Sequence, residues 1–70
     1  MPLVIAPLNV ELKIVKILVD EKLKKHLESL GITINSSLKI VANQAGNLII
    51  VIKEGRLAID RGIASKILVA

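Results

Sequence analysis

The sequence predicts a mainly β domain, a small barrel of about five strands with one short α-helix after the first long strand. Three features predict it. Ile, Leu, Val and Ala make up nearly all of a 53% apolar content, with no Phe, Tyr or Trp, and β-branched side chains suit the pleated, half-buried surface of a sheet. Period-two alternation runs through Val10 to Val19 and Ser36 to Ala42, the rhythm of a strand with one buried face. Between them Leu23, Leu27 and Leu30 recur at i, i+4 and i+7, which stacks them on one side of a helix.

That helix has a marked start and a marked stop. Asp20 can accept a hydrogen bond from a free N–H of the first turn, and Glu21 places negative charge where the helix dipole favours it. Gly31 follows the last periodic leucine, where a chain leaving a helix adopts positive φ and a Cβ would cost energy. Lys22, Lys24, Lys25, Glu28 and Ser29 fall off the leucine face and are expected in solvent.

The strands are read in order around it. Residues 1 to 9 form a lead-in that Pro2 and Pro7 keep out of a central strand, leaving an edge strand or extended arm. In Val10 to Val19 the phase slips: Val10, Leu12 and Ile14 face one way, then Val15, Ile17 and Val19, as a β-bulge at Ile14 and Val15 would cause. Ile32 to Asn35 turns the chain into Ser36 to Ala42, with Leu38, Ile40 and Ala42 inward. A loop over Asn43 to Asn47 leads to Leu48 to Lys53, and a tight turn at Glu54-Gly55 to Arg56 to Asp60, with Leu57 and Ile59 inward. Asp60 is placed to cap one helical turn over Arg61 to Ser65, and Lys66 to Ala70 is the last strand. These strands suggest a closed or nearly closed barrel of the SH3 kind, since closure hides sheet edges. A three-stranded sheet with the helix on one face is the competing architecture.

Seventy residues make one domain. With no cysteine, disulfides, thiolate metal ligands and a cysteine nucleophile are excluded together. The start has no basic region and its apolar run is broken by proline, so no signal peptide is expected. No stretch approaches the roughly 18–20 apolar residues that cross a bilayer, and a cytoplasmic protein without membrane insertion is expected. The net charge of +4 raises a nucleic-acid reading. Against it, the lysines are scattered as on solvated faces, and the chain has no aromatic side chain on which to stack a base.

Chemistry-bearing groups are few. His26 is the sole histidine, and its helical neighbours Lys22, Leu23, Ser29 and Leu30 are poor companions for a metal ion. Ser29, Ser36, Ser37 and Ser65 lack a nucleophile setting, and the four glycines are too far apart to form a phosphate loop. No catalytic, cofactor or metal site is expected. What stands out is an excess of apolar residues at outward positions: Leu18, Val41, Ile49, Val51, Ala58 and Leu68. They are covered either by the helix and lead-in or by a partner.

The ordered set resembles the ferrous iron transport protein A (FeoA) family along nearly the whole chain. Ile14-Val15-Lys16-Ile17 is similar to that family's first strand, Leu23 to Thr33 to its helix and Leu-Gly exit, and Leu38-Lys39-Ile40-Val41 to its second strand. Gly55-Arg56-Leu57-Ala58-Ile59, Ala64 and Ile67-Leu68-Val69 resemble its closing strands. Three places depart from the pattern. His26 stands where arginine is common, and Leu8-Asn9 and Ile34-Asn35 stand where the family tends to have Pro-Gly; Asn is the next most tolerant residue at positive φ.

The resemblance implies an SH3-like, non-enzymatic cytoplasmic accessory to the membrane GTPase of ferrous iron uptake. The same fold is similar to a domain of iron-dependent repressors, which makes a regulatory module one alternative, and the basic charge makes a barrel that binds nucleic-acid phosphates another. The expected docking surface comprises Lys22 and Lys25 of the helix with Val41, Ile49 and Val51 of the sheet. Homo-oligomerisation is compatible with it.

Overall fold

In the computed structural model, which describes residues 1–70, five strands form one antiparallel sheet that curls on itself. The strands are β1 (Glu11–Ile17), β2 (Ser37–Gln44), β3 (Asn47–Ile52), β4 (Gly55–Ile59) and β5 (Ile67–Val69), in the spatial order β4-β3-β2-β1-β5. Helix α1 (Glu21–Ser29) follows β1, and the single turn α2 (Arg61–Ala64) lies between β4 and β5. The result is mainly β and SH3-like.

Curvature comes from β1, which serves two neighbours in turn. Glu11 to Lys13 pair with β2, while Ile14 to Ile17 pair with β5, and the register shifts between Ile14 and Lys16. The slip in the sequence is therefore a bulge, but Val15 and not Ile14 is displaced: Val15 is exposed, while Leu12, Ile14 and Ile17 are buried. The strand is also shorter than Val10 to Val19, for Val10 is exposed and Val19 half-buried beyond its ends. A second bulge between Ile40 and Ala42 bends β2. It was hidden in the sequence because Val41 and Ala42 are both apolar, and both are half-buried.

The helix ends follow from local chemistry. Leu23 N donates to Asp20 Oδ1 at 2.8 Å. At the exit Gly31 has φ +97°, its N–H bonds Glu28 O, and Ile32 N–H bonds Leu27 O, each at 3.0 Å, so the last carbonyls are satisfied by a Schellman turn. Leu27 and Ile32, which that turn brings together, are both buried. Asp60 caps α2 likewise, accepting from Ile63 N at 2.8 Å. Asn9 and Asn35, where the family tends to have glycine, have φ of 61° and 73°.

One turn is shorter than expected, and the lead-in does more than run along an edge. The β2–β3 connection is a two-residue turn, Ala45-Gly46, with φ of 53° and 91°, because the strands pair out to Gln44 and Asn47; a loop over Asn43 to Asn47 was too long. The lead-in is part of the core: a 3-10 turn at Leu3–Ile5 inserts Leu3, which is fully buried, and Ala6 is buried beside it. Pro2 bridges Leu68, so the arm also covers the outer edge of β5.

The buried cluster is aliphatic throughout and contains no polar side chain. Each fully buried Leu or Ile stabilises the fold by roughly 1.5–3 kcal/mol. Whatever this protein recognises must meet its surface.

Candidate functional site: a groove beside an open sheet edge

β4 and β5 do not pair, so the barrel is left ajar between them. A groove of about 640 Å³ opens on the β4 side, lined by His26, Leu27 and Leu30 of α1, by Leu57 to Asp60, by Ile63 of α2 and by Ala42 to Gln44 and Asn47 to Ile49 of the β2–β3 hairpin. The leucine periodicity of α1 makes this wall: Leu27 points into the core, while Leu23 and Leu30 are half-buried at its margin.

The hairpin tip is fixed by short polar contacts. Gly46 N donates to Asn43 Oδ1 at 2.9 Å and Arg61 N to Asn47 Oδ1 at 3.0 Å. A Cβ on Gly46 would lie 2.6 Å from the Arg61 side chain, so the turn passes directly over α2. His26 and Asp60 are the only titratable groups lining the groove, and Asp60 is already engaged as a helix cap. The groove is an apolar surface with little charge of its own.

Beside it lies the outer face of the sheet, whose composition follows from register. Glu11, Lys39, Val51 and Arg56 stand in one row across four strands, and Lys13 pairs with Ser37 in the next. Ala42, Ile49 and Ala58 form a third row, apolar throughout. Glu11 is the one acid in these rows, paired with Lys39, while Lys13 and Arg56 have no acid opposite them. The sheet's outer face is thus basic at one end and apolar at the other.

Of the residues expected to dock a partner, Ile49 lies in the groove at 36% exposure, and Val51 shares its face of β3, half-buried in the basic row. Val41 is half-buried at the second bulge, outside the groove lining. Lys22 and Lys25 are exposed on α1 and do not line the groove either. Among the other outward apolar residues Leu18 is 49% exposed, and Leu68 is half-buried next to the Pro2 bridge. The walls contributed by His26, Leu30, Leu57 and Ile63 were not anticipated as a site; half-apolar helix margins were the available signal. No group of three or more His, Asp or Glu side chains is arranged to hold a metal ion, and no helix is long and apolar enough to cross a membrane.

The comparisons with known proteins agree with one another. Over 45 residues, 64% of this chain, it is 49% identical to a Methanocaldococcus jannaschii protein assigned as Fe(2+) transport protein A, and the match spans about half of that relative, 55%. The fold superposes on a crystal structure of an iron uptake regulatory protein (FeoA) with a TM-score of 0.88 and 26% identity, covering 99% of this chain and 93% of that one. It also superposes on the FeoA protein of Chlorobium tepidum at 0.87 and 17% identity, covering 99% and 68%, a likeness of fold alone. The model of the FeoA domain matches residues 1–70, and the chain belongs to the FeoA family.

Proposed function

We propose that this protein is a small cytoplasmic accessory of ferrous iron uptake that acts as an interaction module for the membrane GTPase transporter. The observation that carries the reading is the apolar groove between α1 and β4, open in a molecule whose core is wholly aliphatic. Grooves of this character on small domains are docking surfaces, because exposed contiguous apolar area is stabilised by being covered. Membership of the FeoA family and likeness to a relative assigned to Fe(2+) transport support iron uptake as the setting. Fe²⁺ is the cargo of the system; no group of three or more His, Asp or Glu side chains is arranged to hold it, which supports action on the transporter.

The module performs no chemistry of its own. Its groove and Ile49 supply the apolar contact, and Lys22 and Lys25, exposed on α1 outside the groove lining, supply favourable charge. Titration of the transporter's isolated GTPase domain into the protein, followed by calorimetry, tests this. The wild type is expected to bind, and Ile49→Asp to weaken binding at least tenfold with its circular dichroism spectrum unchanged. A wild-type protein that gives no heat and no co-elution overturns the reading, and binding to an oligonucleotide in its place would favour a nucleic-acid partner.

A further inference from the structure

The end of the sheet at β4 has a backbone that nothing in the molecule pairs. β4 is the terminal strand, with β3 as its single neighbour. In an antiparallel ladder alternate residues turn both N–H and C=O toward the partner, and the residues between them turn both away. Two registers fix which is which. The Ala45-Gly46 turn makes Gln44 and Asn47 a closing pair, and Ala42 and Ile49 are the next pair of that parity, so β3 uses Asn47 and Ile49 toward β2. Leu48, Ile50 and Ile52 are left to face β4, where they oppose Ile59, Leu57 and Gly55. Arg56 and Ala58 therefore present their N–H and C=O groups outward, and none of the backbone hydrogen bonds outside the regular elements reaches them. Both residues are exposed.

The opposite end of the sheet is treated differently. Val69 N donates to Met1 O at 2.8 Å, and Pro2 bridges Leu68. One edge is covered by the chain itself, the other is bare.

We infer that β4 is a strand-addition site, taking an extended, acidic segment of a partner polypeptide as a sixth strand. This rests on the interaction-module reading and names the part of the surface that does the binding. The chemistry of the occupant is dictated from two sides. A row of outward N–H and C=O groups at two-residue spacing is matched by another extended backbone. Side chains of the added strand alternate as the sheet does. Those opposite Leu57 and Ile59 turn toward the groove with Leu27 and Leu30 and should be apolar. The one opposite Arg56 extends the row that already holds Lys39 and Arg56 and should be acidic, since opposite charges side by side on a sheet face attract. A second copy of this chain is a poorer occupant: each carries a net charge of +4, and the two would repel.

The test uses the peptide Ac-Val-Glu-Val-Glu-Val-Glu-Val-NH2 as probe, its Lys-for-Glu counterpart as control, and amide-resolved NMR of the full chain. The acidic probe is expected to bind, more weakly as salt rises, and to slow hydrogen exchange at the Arg56 and Ala58 amides specifically. Ala58→Pro removes one outward N–H at a position where an edge strand tolerates proline, and should weaken binding about five- to tenfold. Arg56→Glu retains the backbone and should invert the preference between the two peptides; it keeps the inference testable if the proline variant does not fold. Binding with no protection at Arg56 and Ala58, no binding, or equal binding of both peptides by wild type and Arg56→Glu overturns it. Concentration-dependent protection of the same amides without peptide would assign the edge to a second copy and overturn the choice of occupant. If the GTPase domain fails to bind while the peptide binds as described, the transporter reading fails and the strand-addition site stands; if the domain binds Ala58→Pro and Arg56→Glu as well as wild type, the reverse holds.

Discussion

The two ends of the sheet make a natural experiment in how a small protein treats an edge. At β5 the chain doubles back, pairs Met1 and Pro2 with the strand, and drops Leu3 into the core. At β4 nothing returns to cover the strand, and the margin widens into a groove. A bare edge invites indiscriminate pairing and is usually blunted. Here it is short, five residues, and carries Arg56, which discourages self-association without closing the site. The closed edge supplies stability, and on the proposed reading the open edge supplies recognition. That division can be broken by mutation, because the two edges should respond differently to the same kind of change.

The largest difference should come from truncating one leucine at each end. Leu3 is wholly buried, whereas Leu57 is only half-buried beside the groove. Leu3→Ala is expected to destabilise the fold by about 2–5 kcal/mol, measured by urea unfolding, and Leu57→Ala by distinctly less. Equal losses would mean that the lead-in is no more structural than the groove. Next comes Gly31→Ala at the exit of α1, which supports the groove's far wall. Its φ of +97° disfavours any side chain, and the new Cβ would lie 2.6 Å from Glu54 Oε1. The Glu54 carboxylate is flexible and can move, so the backbone term dominates and a loss of about 1–2 kcal/mol is expected.

How legible this was depends on how far the deciding interaction reaches along the chain. Asp20, Gly31 and Asp60 announced both helices because a cap is a contact between residues three or four apart. Asn9 and Asn35 were readable as positive-φ positions only through the family resemblance, standing where glycine is usual. The bulge in β1 was visible as a slipped period, but choosing Val15 as the displaced residue needed knowledge that Ile14 faces Val69 on another strand. Leu3 was invisible as core because two prolines argued for an edge strand or extended arm, and only the distant edge of β5 gives that arm a place to bind. The site was half legible. Ile49 and Ala58 could be seen to point outward, yet which outward residues face α1 is decided by where the helix crosses the sheet, and no local pattern encodes that.

Ala45 sharpens the contrast in the stabilising direction. It holds φ at 53° in the tight turn that ends the groove, a conformation that costs an alanine about 1–2 kcal/mol. Asn followed by Gly is the favoured pair for such a two-residue hairpin, and Gly46 is already in place. Ala45→Asn should therefore raise stability by about 0.5–1 kcal/mol, seen as a higher midpoint in urea with an unchanged slope. Strain of this kind sits on the open side of the molecule, and relieving it there should leave the β5 edge and its amide protection as they were.

The smallest effect on stability, and the most telling, is expected at Ile49. Its side chain is 36% exposed between Ala42 and Ala58, so Ile49→Thr removes apolar contact area from the groove while keeping the β-branched shape the strand prefers. Unfolding free energy should change by no more than about 0.5 kcal/mol, the usual range for a surface position, while affinity for the GTPase domain should fall several-fold. A residue that matters for binding and hardly at all for folding is what an edge left open for a partner requires. Should Ile49→Thr instead cost as much stability as Leu3→Ala, the groove would be an extension of the core, and the contrast between the two ends of the sheet would collapse.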